Sequence, residues 1–492
     1  MLLLGLDLGT SSIKASVVDA ATSICIASVQ YPDEESGIIS LQPGWAEQSP
    51  EQWWQDIQSA ILKLNATNKF NPKDIAAIGI AYQMHGLVCI DRENQVLRNS
   101  IIWCDSRAVK YGEKALTAIG VEKSLAFLLN SPGNFTASKL AWVKENEPIL
   151  FNKIHKVLLP GDFVSLKLTG EINTTIPALS EGIFWDFKNE SLSDDVFNFF
   201  GFDKNLIPNI LPVFSNYGTL LPAVAEKLSL TSGIPITYKA GDQPNNALSL
   251  NVMEPGEVAA TAGTSGVIYA VGDGLTSDRL SRINSFAHVN YTEAQKNIGV
   301  LLCINGTGIL NQWIKNIAGN LSYEQMNQLA ANIPAGSAGV LVLPFGNGAE
   351  RMLQNQQVHA HIQHLDFNSH SKAHLFRAAQ EGIAFAFRYG LDIMRENNLH
   401  PTIIKAGNAN LFLSNVFIEA FVNATNTPVE LYNNDGSVGA AMGAGIGVSY
   451  YKNAKEAFQL TNPIKTIYPQ YFQAYDAYYH SWKNCLEQVI KK

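Results

Sequence analysis

An α/β architecture in two domains of similar plan is what this sequence predicts, and three observations carry the prediction. Short apolar, strand-like runs alternate with longer helical patterns, which excludes an all-β sandwich or a helical bundle. The 492-residue length exceeds one ordinary core and asks for two domains of roughly 200–250 residues. A Gly-Thr-Ser turn occurs twice, once in each half, each time between two apolar strands (residues 4–19 and 258–271). Such a turn exposes backbone N–H groups and hydroxyls with no bulky side chain in front, which suits a phosphate oxygen. One copy alone is an ordinary hairpin turn. Two, with Asp7 and Lys14 flanking the first, point to a duplicated fold gripping one polyphosphate from both sides.

Taken in order, the first hairpin is followed by a helix opening at Ser49-Pro50, with Ser as cap, Pro in the first turn and Ile57, Ile61 and Leu64 at helical spacing. Residues 75–81 read as a buried strand, the loop Tyr82-Gln83-Met84-His85-Gly86 follows, and 87–91 read as another strand. A strand at 156–160 leads into a short helix at 161–168. A strand at 234–239 enters the loop 240–246, where Pro244 is expected to begin a helix. The second half carries helical patterns at 305–318, 322–332, 371–398 and 412–425. The apolar face of 371–398 (Phe376, Ile383, Phe387, Leu391, Met394) is expected to pack between the domains. Tyr471, Tyr475, Tyr478, Tyr479 and Trp482 mark a last helix docked on the surface. The expected division is 1–246, 247–450 and a helical extension, 451–492.

Composition bounds the function. The chain is 46% hydrophobic and 16% charged, enough apolar material for large cores. A formal net charge of −8 without a Lys/Arg run excludes a nucleic-acid stripe, so a bound polyphosphate would need Mg²⁺, backbone N–H groups and a few cations. The five cysteines form no CxxC pair and read as reduced, buried thiols of a cytoplasmic protein. Asp7 interrupts the apolar start before a signal-peptide core is complete, and no stretch reaches the length of a membrane span.

The sharpest catalytic candidate is Asp242 in Ala240-Gly241-Asp242-Gln243-Pro244. It follows a strand, where α/β folds place ligand contacts, and would orient a hydroxyl and accept its proton late in a transfer. A plain helix cap is the other reading of the same loop. Met84-His85-Gly86 offers a ring nitrogen for a polyol hydroxyl and a thioether for its carbon face, or a loop His in a structural bond. Trp103-Cys104-Asp105-Ser106-Arg107 has the aromatic and charged mixture of a sugar site, or a local Asp–Arg ion pair. Asn305-Gly306-Thr307-Gly308 and Lys405-Ala406-Gly407-Asn408 each precede a helix and could take a nucleotide, or be plain strand-to-helix turns. The small residues of 435–445 are either tight helix packing or a cofactor wall. Neither a Walker A pattern nor a GxGxxG fingerprint is present. His359, His361, His364, His370 and His374 are irregularly spaced and read as solvated loop histidines.

In order and spacing, Trp45-Ala46-Glu47-Gln48, Pro50-Glu51-Gln52-Trp53-Trp54, Met84-His85-Gly86, Ile102-Trp103-Cys104-Asp105-Ser106-Arg107, Phe135-Thr136-Ala137-Ser138-Lys139-Leu140 and Leu158-Leu159-Pro160 resemble the FGGY family of carbohydrate kinases, over roughly residues 1–450. The likeness is greatest to the xylulose-phosphorylating members. It implies two ribonuclease-H-like domains of the actin-like ATPase kind, an interdomain cleft, ATP and Mg²⁺, a small sugar substrate (a pentulose such as D-xylulose) and a homodimer as a plausible assembly, with no nucleic acid and no membrane partner. It also implies Asp242 as catalytic base; Met84, His85, Gly86, Trp103, Asp105 and Gln243 on the sugar; and Asp7 near the metal. Thr10, Ser11, Ser12 and Lys14 would form the first phosphate loop and Gly263 and Thr264 the second, with Gly306, Gly308, Gly407 and Asn408 on the adenosine side. Departures from the family pattern are Asp242-Gln243, which looks more like the glycerol kinases, Met352-Leu353, and Ala406-Gly407-Asn408-Ala409. Ribulose, sedoheptulose or glycerol remain alternative substrates. A nucleotide switch or a non-catalytic sugar sensor is the alternative of another class.

Overall fold

Residues 4–8 alternate leucine with Gly5 and Asp7 after a run of three leucines, and in the computed structural model, which describes residues 1–319, 321–433 and 435–491, residues 2–8 form strand β1 (Leu2–Leu8). The chain returns through residues 9–12 into β2 (Ile13–Asp19), and β3 (Ile24–Tyr31) adds a third antiparallel strand. Helix α1 (Pro50–Asn65) begins as expected, the Ser49 side chain accepting the Gln52 N–H. Strand β4 (Ile75–Tyr82) then lies parallel to β1. An inserted region carries α2 (Thr136–Asn146) and α3 (Ile176–Glu181), after which β5 (Ile236–Gly241) pairs with β4 and runs directly into α4 (Asp242–Ser249). The expectation that Pro244 opens this helix is corrected: the helix starts two residues earlier, so Asp242 stands in its first turn behind Gly241.

The resulting sheet has the order β5-β4-β1-β2-β3. Period-two alternation explains why it is buried on both faces. Leu4, Leu6 and Leu8, with Ile78 and Ile80, pack against Trp53, Ile57 and Ile61 of α1. The intervening Leu3, Gly5, Ala77 and Gly79 face the opposite side.

The second lobe repeats the plan. It contains β6 (Glu257–Ala262), β7 (Gly266–Gly272), β8 (Asn284–Ala287), β9 (Ile298–Ile304), α5 (Gly308–Ile317), α6 (Lys372–Glu396), β10 (Ile403–Gly407), α7 (Asn415–Thr425), β11 (Val429–Tyr432), α8 (Gly436–Gly447), β12 (Lys465–Ile467) and α9 (Phe472–Ile490). Its sheet order is β8-β9-β7-β6-β10-β11-β12, and the five central strands reproduce β3-β2-β1-β4-β5 in order and direction. The two Gly-Thr-Ser turns occupy equivalent hairpins, β1–β2 and β6–β7.

Helix α8 crosses to the first lobe. A Cβ on Gly5 would stand 1.7 Å from the Ser437 carbonyl oxygen, and one on Gly79 would stand 1.9 Å from that of Ala440. Ser16 Oγ lies 2.7 Å from Ser437 Oγ, and Thr237 Oγ1 donates to the Ala444 carbonyl at 2.9 Å. The small residues of 435–445 therefore serve tight helix-on-sheet packing. Helix α4 bridges the lobes, with Ala247 in the core cluster that joins the inserted region to the second lobe and Leu248 against α8.

Four further expectations are corrected. The apolar face of α6 packs inside the second lobe, on α7 and the strand Leu341–Phe345, rather than between domains. The segment 451–492 is not purely helical, because β12 extends the second sheet antiparallel to β11. Docked as expected, α9 buries Tyr475, Tyr479 and Trp482, whose Nε1 donates to the Val342 carbonyl at 2.8 Å. All five cysteines are free, but only Cys89 and Cys485 are buried. His359 and His361 sit on a strand, His359–Gln363, not in a loop. Among the described residues no helix is long and apolar enough to cross a membrane.

Candidate active site

The carboxyl ends of β1, β4 and β5 lie side by side, which brings Asp7, the 83–86 loop and Asp242 to one edge of the first sheet. Asp7 pairs in register with Lys14 across the first hairpin. Burial, then Asp435, push its carboxyl from 3.8 up to about 6, against the pull of Lys14. Lys14 Nζ itself reaches Asp435 Oδ2 at 3.4 Å. The turn between them is closed by Gly9 N–H donating to the Ser12 carbonyl at 3.1 Å, and Ser11 is exposed. Thr10 is tied in, its hydroxyl donating to Gln83 Oε1 at 3.2 Å and accepting from Trp103 Nε1 at 2.9 Å. Its carbonyl accepts from Gln48 Nε2 at 2.8 Å.

Asp242 faces this turn. Burial, then the Asp7 and Glu181 carboxylates, push its carboxyl from 3.8 up to about 7. Its oxygens accept from the Gln243 N–H at 2.9 Å and from Gln243 Nε2 at 3.2 Å, and among the described residues no cation pairs with either. Gln243 Oε1 and Asn245 Oδ1 are buried and find no hydrogen-bond partner among the described residues. Asn245 Nδ2 donates to the Gly436 carbonyl, and a Cβ on Gly436 would stand 2.2 Å from Asp7 Oδ2. A mutually repelling carboxylate pair beside orphaned amide oxygens fits a hydrated Mg²⁺, which takes one or two carboxylates and fills its other positions with water and phosphate.

The loop after β4 is placed less simply than its sequence implied. Met84 is buried and packs over Gly241, where a Cβ would meet its Cγ at 2.5 Å; it supports the Asp242 turn. A Cβ on Gly86 would meet Pro160 Cγ at 2.6 Å, a packing requirement. His85 does reach the site. Its ring sits 5.0 Å from Phe135 and 5.4 Å from Phe286, the latter a residue of β8 in the other lobe. The half-exposed Trp103 lies over the first turn through Thr10. Asp105 is corrected: its side chain is fully buried, accepts the Ala46 N–H at 2.6 Å and pairs with Arg107 at 2.7 Å. The local ion pair is the reading that holds, and no oxygen is left for a sugar.

Across the cleft three glycine-containing turns converge. Gly308 N–H donates to the Gly263 carbonyl at 2.9 Å, and Ile309 N–H to that of Thr264 at 3.2 Å. A Cβ on Gly263 would lie 3.5 Å from Asn410 Nδ2 of the 407–410 loop, in which Asn408 N–H donates to the Tyr432 carbonyl at 2.8 Å. Gly306 is small because the Pro344 carbonyl lies 1.5 Å from where its Cβ would be. Glu350 fixes this turn, accepting the Asn305 N–H at 3.0 and 3.2 Å, and burial pushes its carboxyl up to about 7. Cys303, at the end of β9, is exposed, and its thiol feels Arg351 and Asp242, so this strand end faces the catalytic candidate.

With that geometry in view, the chain was compared with known proteins. The N-terminal domain of the FGGY family of carbohydrate kinases matches residues 2–249 and its C-terminal domain matches residues 258–448. The chain belongs to the FGGY family of carbohydrate kinases. It is 30% identical to the xylulose kinase of Bacillus subtilis, over 98% of this chain and 96% of that protein. A solved xyloylose kinase from Brucella ovis superposes with a TM-score of 0.89 at 26% identity, covering 99% of both chains. Plasmodium falciparum glycerol kinase with ADP superposes equally well, TM-score 0.89 at 18% identity over 99% of this chain and 98% of that one, a likeness of fold alone.

The FGGY frame exposes what sequence reasoning missed at this site: Glu181, Phe286 and the buried Lys139, whose ammonium burial pushes down to about 7. The Phe135–Leu140 run signalled the Lys139 region without giving it a role. Nothing local signalled Glu181, which reaches His85 across 96 residues of chain. Glu350 likewise gained its place only through the fold. Replacing it with alanine frees the Asn305 N–H and is expected to raise the KM for MgATP about tenfold, by a loss on the order of 1–2 kcal/mol. An unchanged nucleotide KM would contradict its part in holding the turn.

Proposed function

We propose that this FGGY kinase transfers the terminal phosphoryl group of ATP to a pentulose, D-xylulose, at its terminal hydroxyl, giving D-xylulose 5-phosphate. The observation that carries this reading is Asp242, a carboxyl with no cationic partner among the described residues, between the His85 loop and the facing glycine turns. Its raised proton affinity makes it a better acceptor than an ordinary carboxylate. The sugar hydroxyl donates to the Asp242 carboxylate, its oxygen bonds to phosphorus as the bond to the departing ADP breaks, and the proton ends on Asp242. Gln243 holds the carboxylate in place. Thr10, Ser11, Ser12 and Lys14 from one lobe and Gly263 and Thr264 from the other lie where phosphates would cross, and Gly306, Gly308, Gly407 and Asn408 lie where the nucleoside would rest. Asp7, with water, would hold Mg²⁺, which neutralises phosphate charge when bound. His85 and Trp103 would face the sugar.

The substrate follows from the Bacillus subtilis relative and from the placement of His85 rather than from the fold, which a glycerol kinase shares. Coupled ADP release with MgATP is the test, against D-xylulose, D-ribulose, L-ribulose, sedoheptulose, glycerol and no sugar. D-xylulose is expected to give a kcat/KM at least about tenfold above the others. Preference for another sugar would keep the kinase chemistry and overturn the substrate. ATP hydrolysis indifferent to sugar would favour a nucleotide switch, and sugar binding without ADP release a sensor.

A further inference from the structure

His85 is held in an unusual backbone state by two buried groups. Its φ is 64°, left-handed for a residue that carries a Cβ, so its surroundings must impose it. On one side its N–H donates to Glu181 Oε2 at 2.8 Å. On the other its carbonyl accepts from Lys139 Nζ at 2.8 Å and from Thr136 Oγ1 at 3.3 Å. Both peptide groups of one residue are thus clamped by α2 and α3.

The ring is held as firmly. His85 Nδ1 lies 3.2 Å from the Glu181 main-chain carbonyl and 3.2 Å from its carboxylate Oε2. Both neighbours are acceptors, so Nδ1 carries a proton and Nε2 is the ring nitrogen left free of Glu181. Phe135 and Phe286 fix the plane of the imidazole between them. Glu181 is 2% exposed. Its other oxygen accepts the Tyr82 hydroxyl at 2.9 Å and lies 3.4 Å from where a Cβ on Gly241 would begin, directly under the Asp242 turn. One carboxylate therefore touches the end of β4, the histidine loop and the start of α4.

We propose that Glu181 is the positioning residue of the sugar site: it fixes His85 in the Nδ1–H form so that Nε2 accepts a hydrogen bond from a substrate hydroxyl. Lys139 holds the other half of the same clamp. This rests on the kinase reading above and deepens it, because a site that presents an acceptor here selects sugars that offer a hydroxyl donor at that place. A buried acid serving the fold alone would behave differently. Its loss would lower stability without singling out the sugar.

The test is Glu181→Gln, which keeps shape and one acceptor oxygen, read beside Glu181→Ala. In Glu181→Gln the KM for D-xylulose is expected to rise tenfold or more, as is usual for an outer partner of a functional histidine, with the KM for MgATP within twofold of wild type. Imidazole ¹⁵N shifts of histidine-labelled protein, assigned through His85→Asn, should show His85 protonated on Nδ1 in the wild type and redistributed in both variants. An Nε2–H signal in the wild type, or a folded Glu181→Gln with an unchanged sugar KM, overturns the inference alone. A wild type inert toward every sugar overturns the kinase reading itself.

Discussion

Asp242→Asn is expected to lose sugar-dependent turnover by about 10³-fold or more while gaining thermal stability. The two effects share one cause. The carboxyl that ought to ionise near 3.8 holds its proton until about 7 because it is enclosed by protein and faces Asp7 and Glu181. Its folded pKa is raised, so the unfolded chain releases the proton first as pH rises, and stability declines between about 4 and 7 and stays low above. Asparagine removes that decline. The Tm of Asp242→Asn, measured without nucleotide or Mg²⁺, should exceed wild type by about 1–3 °C at pH 8 and by less at pH 5. Asp242→Ala should be equally inactive and should still bind ATP, because the glycine turns belong to the other lobe. The same titration gives the wild-type kcat/KM an acidic limb near 7, belonging to the Asp7–Asp242 pair rather than to either residue alone. Near-normal turnover in either variant would remove Asp242 from the role of base, and a destabilised Asn variant would contradict the electrostatic account.

Gly79→Val should be the most damaging change away from the chemistry. The Ala440 carbonyl lies 1.9 Å from the position of the new Cβ, and a main-chain oxygen within a helix cannot swing aside as a flexible side chain can. Helix α8 must lift or the sheet must bend, at a cost of about 3 kcal/mol or more and a fall in Tm on the order of 5–10 °C. Activity should fall further than stability, because α8 carries Gly436 against Asp7 at its first turn. Gly37→Ala, whose new Cβ would meet nothing within 4 Å, is the control and should be silent by thermal melt and by turnover. A tolerated Gly79→Val would mean that α8 is not tightly seated.

Features written in consecutive residues were legible in the sequence, and features assembled across the chain were not. The paired Gly-Thr-Ser turns announced the repeated sheet, since a hairpin needs only its own residues. Ser49-Pro50 marked α1 to the residue for the same reason. Asp242 stood out as a carboxylate after a strand, but Pro244 misplaced the start of its helix, because proline fits several positions of a first turn. Asp105 shared its five-residue motif with Arg107, and sequence could not rank a sugar contact above the ion pair that formed. Met84 read as a carbon-face contact, yet the bare Cα of Gly241 drew it inward. Glu181 and Phe286 reach His85 from a helix and from the other lobe, and no spacing rule connects them.

The seating of α8 bears on how the polypeptide is made. The strands of the first sheet are complete once residue 241 has been synthesised, but the helix that covers one face of that sheet ends at residue 447. Until then Leu3, Ala77 and Ala81 lack the cover that α8 gives them. At the ribosome's pace of about 5–20 residues per second, that face waits some 10–40 seconds for its partner. The leading half of the sheet is thus made well before the small-residue helix that closes its second face.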